Sequence, residues 1–198
     1  KGESTEESKK DDRELISEFV EEFITYEGLL KSYQDPENGN TYIELSDEDI
    51  SKEFIYFAHI INGTVEAGLF KGSHIDQAVI KFEKQFNSLN LVRVNTEYYF
   101  DPDSELSRQS QSNISDSVIE NFEITHKNED ENTYLIDITK LLKSDNLTKL
   151  KSEPRDYESD SFGVGSLSRS KTAISKIYNY PNNTDFEVDY VFSNPASY

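Results

Sequence analysis

Gln77-Ala-Val-Ile-Lys-Phe-Glu-Lys-Gln-Phe-Asn-Ser-Leu-Asn-Leu-Val-Arg-Val-Asn-Thr-Glu-Tyr-Tyr-Phe-Asp-Pro-Asp103 is the stretch that decides the fold class. Ala78, Ile80 and Phe82 alternate with Val79, Lys81 and Glu83, the period of two that a strand requires. After a polar break at Asn87-Ser88, Val92, Val94, Thr96, Tyr98 and Phe100 alternate with Arg93, Asn95, Glu97 and Tyr99. Two such runs joined by a short polar loop predict an antiparallel hairpin. Asp101-Pro102 is expected to end the second strand, because proline donates nothing to a ladder. These residues specify a sheet and no chemistry.

Hairpin signals recur on both sides. Leu29–Gln34 and Thr41–Leu45 flank Asp35-Pro-Glu-Asn-Gly-Asn40, whose residues favour a turn. Val118–Thr125 and Tyr134–Leu142 flank Lys127–Asn132, and Lys171–Tyr180 and Thr184–Phe192 flank Pro181-Asn-Asn183. Phe54–Ile61 is apolar on both faces and is expected to be a central strand covered on both sides. A single helical turn capped by Ser46 or Asp47 should precede it, and glycine-rich Asn62–His74 reads as a loop. Ser104–Asn113 could form a short helix. Leu15, Ile16, Phe19, Val20, Phe23 and Ile24 recur at helical spacing. They predict one amphipathic N-terminal helix, capped by Asp11 or Asp12 and stopped by Gly28. The expected fold is mainly β: an antiparallel sheet of consecutive hairpins, eight to nine strands, with that helix packed on it. Residues 1–12 read as a disordered segment and 13–198 as a single β-rich domain with a flexible loop near 152–168.

Composition narrows the partners. Hydrophobic residues are 34% of 198, but 24 Phe and Tyr residues argue for a packed core. A net charge of −19 disfavours nucleic acid and anionic lipid surfaces, which need clustered Lys and Arg. Cysteine is absent, which excludes disulfides and thiolate zinc sites. No apolar run approaches the ~20 residues of a membrane span.

Candidate chemistry is sparse. His59, His74 and His126 lack the spacing of a helical zinc pair. His59 is expected to be a hydrogen-bonded core residue, and His74 and His126 to be solvated; whether the three meet in space is left open. Asp101–Glu105 has a partial likeness to a calcium loop but lacks its glycine. Gly163-Val-Gly165 lies in a serine-rich loop without the strand and helix of a phosphate cradle. Four glycosylation sequons begin at Asn62, Asn113, Asn146 and Asn182, a pattern frequent by chance in an Asn-rich chain. No catalytic, cofactor-binding or metal residue is assigned.

The order of segments carries a resemblance. Gly28-Leu29, Tyr42–Leu45, Glu53-Phe-Ile55, Val79–Glu83, Leu91–Asn95 with Asp101–Ser104, Phe122-Glu-Ile124, Ile136–Thr139 and Ser168-Arg-Ser170 fall in a recognisable series. Together they resemble a domain of unknown function that lies ahead of the catalytic domain in exported bacterial zinc-dependent metallopeptidases of metzincin type. The resemblance runs from about Phe19 to Phe192. It implies a noncatalytic domain that packs on, and supports or shapes, a C-terminal catalytic domain of the same polypeptide. Zinc would belong to that other domain and its H-E-x-x-H-x-x-G-x-x-H motif, which has no counterpart here. It also implies export and contact with a peptide or protein substrate. Two other readings stand beside it: a free-standing β-sheet module for a surface glycan or protein, with Tyr98 or Tyr99 as contacts, and an inhibitory pro-segment.

Overall fold

The computed structural model describes residues 15–96, 116–148, 150 and 165–193. Its centre is an eight-stranded antiparallel sheet in the order β1-β2-β3-β8-β7-β6-β5-β4. The strands are β1 (Ile24–Tyr26), β2 (Ser32–Gln34), β3 (Thr41–Ser46), β4 (Glu53–His59), β5 (His74–Gln85), β6 (Ser88–Arg93), β7 (Ser117–Asn128) and β8 (Thr133–Asp137). Each neighbouring pair is consecutive along the chain except β3–β8, which joins the first strands to the third hairpin. Two short helices, α1 (Ile16–Phe19) and α2 (Thr139–Leu142), flank the sheet. Two further ribbons complete it: β9 (Ser166–Leu167) with β12 (Phe192–Ser193), and β10 (Ala173–Tyr180) with β11 (Asn183–Asp189). The mainly β, antiparallel expectation is what the chain adopts.

The strand alternation sorts side chains onto two faces. Ile43, Leu45, Phe54, Phe82, Leu89, Leu91, Phe122, Ile124, Tyr134 and Ile136 share the inner face. Ile138, Leu141 and Leu147 close over them, with Phe186 of β11 packed alongside. On the outer face, Tyr33, Tyr42 and Leu135 pack under Ile16 and Val20 of the α1 region. Phe19 adds edge-on contact with Tyr42 and a stack on His126, centroids 5.4 and 4.1 Å apart.

Several expectations need correction. The N-terminal helix is a single turn, and Ile24 already pairs with Gln34 of β2. The Phe23-Ile-Thr-Tyr26 run favours a strand, and β2 offers it an edge. The caps assigned to Asp11 and Asp12 lie outside the described residues. Gly28 is no helix stop: a Cβ there would collide with the Asn179 side chain and the Tyr180 nitrogen. After Ser46 the chain makes turns rather than a helix, and Asp49 Oδ2 accepts from the Ser46 nitrogen and hydroxyl. Tyr134–Leu142 is not one strand. Asp137 Oδ1 accepts from the Thr139 nitrogen at 2.8 Å, and Thr139 Oγ1 accepts from Thr41 N at 2.8 Å. Those bonds draw the chain from the ladder into α2.

The largest correction concerns Phe54–Ile61. It forms β4, the edge of the sheet, paired only with β5 among the described strands. Apolar residues on both faces of a strand need not mean two covers. In the opening hairpin, β5 and β6 pair from Gln85↔Ser88 to Ile80↔Arg93, and the Val94 N–H bonds Val79 O beyond that. The later part of the expected strand, Asp101-Pro102, Tyr98, Tyr99 and the Ser104–Asn113 helix lie outside the described residues. So do residues 1–12 and most of the loop expected at 152–168.

Candidate functional site

The outer face of the sheet is covered at one end and bare at the other. At the bare end, β4 turns Phe54, Tyr56 and Ala58 inward and Glu53, Ile55, Phe57 and His59 outward. Ile55 is 87% exposed and Phe57 56% exposed, apolar surface left in water at a free-energy cost. Ile61, Val65 and Phe70, in the connection from β4 to β5, are exposed as well. Clustered apolar exposure on one edge is the ordinary mark of an interaction surface. The outer backbone of β4 has no strand partner among the described residues, and an unpaired strand edge is a template for a further strand.

The inner side of this edge is tied down. Arg93 forks onto the Asp76 carboxylate, Nη1 to Oδ1 and Nη2 to Oδ2, and the Tyr56 hydroxyl donates to Leu147 O at 3.0 Å. Burial, together with the nearby Asp76 charge, pushes the Tyr56 hydroxyl pKa well up, so it stays a donor. On the outer side Lys81 is held between Glu83 and Asp116, each at 2.9 Å. The bare surface is therefore presented by a braced strand.

The structure brings His59 and His74 together as register partners, with the Phe57 ring 5.9 and 4.8 Å from their ring centroids. His59 is exposed on the edge, not a core residue as its apolar neighbours suggested. His74 is exposed as expected, whereas His126 is half-buried on β7 against Phe19 of α1. The three do not form one cluster, and no group of three His, Cys, Asp or Glu able to hold a metal occurs among the described residues. Arg93 is a bracing group, and Asp101 lies outside the described residues. Sequence reasoning missed Ile55 and Phe57 because alternation gives the faces of a strand, not its place in the sheet order.

Residues 72–197 match a family described as a domain of unknown function, DUF5117. The chain belongs to that family. The matched region begins just before β5 and takes in the central hairpin, β7–β8, α2 and the C-terminal ribbons, while β4 precedes it. No curated protein matches the DUF5117 chain, and no solved structure does. No described helix is long and apolar enough to cross a membrane.

Proposed function

We propose that this DUF5117 chain is a noncatalytic domain that packs on a neighbouring domain through the bare outer face and free edge at β4. The exposure of Ile55 and Phe57 on a braced edge strand carries this reading. Each side chain contributes roughly 1.5–3 kcal/mol when fully covered, enough for a few such residues to hold an intramolecular interface. The order of sequence segments supports naming that neighbour: the catalytic domain of an exported bacterial zinc-dependent metallopeptidase, on the same polypeptide. Packing there would support the folding of that domain or shape its cleft, and its own residues would hold the zinc.

The test compares the full-length polypeptide with its catalytic part alone. Lower stability or altered substrate range in the truncated form is the expected result; equality in stability, activity and range would refute the reading. A sharper form substitutes Ile55→Ser and Phe57→Ser in the full-length protein. The pair should loosen the domain contact, read as faster proteolysis between domains, while leaving the isolated chain's melting temperature nearly unchanged.

A further inference from the structure

At the opposite end of the bare face, the β5–β6 turn and β7 form a shallow groove of about 720 Å³ lined by Gln85, Phe86, Asn87, Ser88, Asn90, Val118, Asn121 and Glu123. Four of the eight are carboxamides and one is acidic, in a chain with 39 Asp and Glu. The register explains the concentration: Asn90 pairs with Asn121, and Ser88 pairs with both Gln85 and Glu123, all on one face. The amides are ordered into a hydrogen-bonded row. Asn121 Nδ2 donates to Asn90 Oδ1 at 2.5 Å and Ser88 Oγ at 3.0 Å, and Asn90 Nδ2 donates to Gln85 Oε1 at 3.0 Å. Glu83, the cross-strand neighbour of Asn90, has its charge engaged by Lys81 at 2.9 Å.

Beside this row stands Phe86, 93% exposed. Its φ is +56°, a left-handed conformation at the first position of a two-residue hairpin turn, where glycine is usual. A bulky residue there costs stability and gains no core contact. Such an outlier points to a use for the side chain.

We propose that the groove binds a neutral saccharide, with Phe86 as the apolar platform for a sugar ring face and Asn90, Asn121 and Gln85 pairing with its hydroxyls. A carboxamide offers both donor and acceptor, as a hydroxyl does, and the near-neutral lining selects neither anions nor cations. A peptide strand is the poorer fit, because β6 is paired on both sides and offers no free backbone edge here.

Affinity electrophoresis tests this with the whole chain in gels containing soluble starch, xylan, galactomannan or mixed-linkage β-glucan. A second arm uses an immobilised glycoprotein before and after enzymatic deglycosylation, which separates free polysaccharide from protein-borne glycan. Retardation by at least one polysaccharide, or capture lost on deglycosylation, is expected. Phe86→Ala and Asn121→Ala should each weaken it at least tenfold, while Ile55→Ser, at the other end of the face, binds as wild type. No binding in either arm overturns the proposal, as does binding that survives both groove substitutions. The site stands apart from the β4 surface, so either reading can fail alone.

Discussion

One face of one sheet is treated in two ways. Over β3 and β8 it is sealed by α1: Leu135 is fully buried beneath Ile16, Val20 and the Phe19 ring. Over β4 it is open, with Ile55 and Phe57 in solvent. The edges differ in the same sense. The β1–β2 end is clasped by β10, where Asn179 Nδ2 donates to Tyr26 O at 2.8 Å and Leu30 O at 2.6 Å. Its Oδ1 accepts from Thr184 Oγ1 at 2.7 Å, and the Leu29 nitrogen bonds Tyr180 O at 2.7 Å. The β4 end has no such clasp among the described residues. Apolar residues at comparable strand positions thus do opposite things: on one side they hold the domain together, on the other they lie in solvent.

Substitutions can break or sharpen that contrast. The largest effect should come from Leu135→Ala, which removes a fully buried side chain and should cost about 2–5 kcal/mol in chemical denaturation. Next is Asn179→Ala, which removes the side-chain donor to Tyr26 O and one of the two donors to Leu30 O, which keeps the Ser32 hydroxyl, and should cost about 1–3 kcal/mol. A neutral result there would mean the clasp is not what closes the β1 end. Phe86→Asn should raise stability by about 0.5–1 kcal/mol, because Asn tolerates the left-handed turn position.

Asp116 supplies a pH test on the open half. The Asn95 backbone N–H, and then the Lys81 ammonium, hold its carboxyl below the usual range. A depressed carboxylate adds stability that is present above its unfolded pKa and lost as pH falls through the folded one. Asp116→Asn should therefore destabilise at pH 7 by less than about 1 kcal/mol, given solvent screening, and match wild type in strong acid. The smallest effect belongs to Ile55→Ala, within about 0.5 kcal/mol for the isolated chain. A loss as large as that of Leu135→Ala would show that the two halves do not differ.

Period-two alternation made most strands legible, together with the Asp35–Asn40, Lys127–Asn132 and Pro181–Asn183 turns, because hairpins are written locally. What alternation does not encode is lateral order. Phe54–Ile61 has the composition of a central strand and sits at the edge, since nothing within those eight residues says how many strands lie beyond. The N-terminal helical spacing was real as packing, with Phe19 and Phe23 both on the α1 face, but it overstated the helix. Gly28 reads in sequence as a helix stop, because Asn179, whose side chain it makes room for, lies far along the chain. The amide groove escaped notice for the same cause: Asn90 and Asn121 are each ordinary in sequence and become a pair only through the β6–β7 register.

The Asn179 clasp also sets a timetable. It joins positions 153 residues apart, so its loop-closure cost is met only after nearly the whole chain is available. The hairpins of the central sheet can form from local sequence as the chain emerges. The β1–β2 end, although made first, must wait for β10 and β11 to be sealed. A nascent chain would therefore leave the β1–β2 end unsealed until β10 is made, and the slowest folding step of the whole chain should be the one that Asn179 completes.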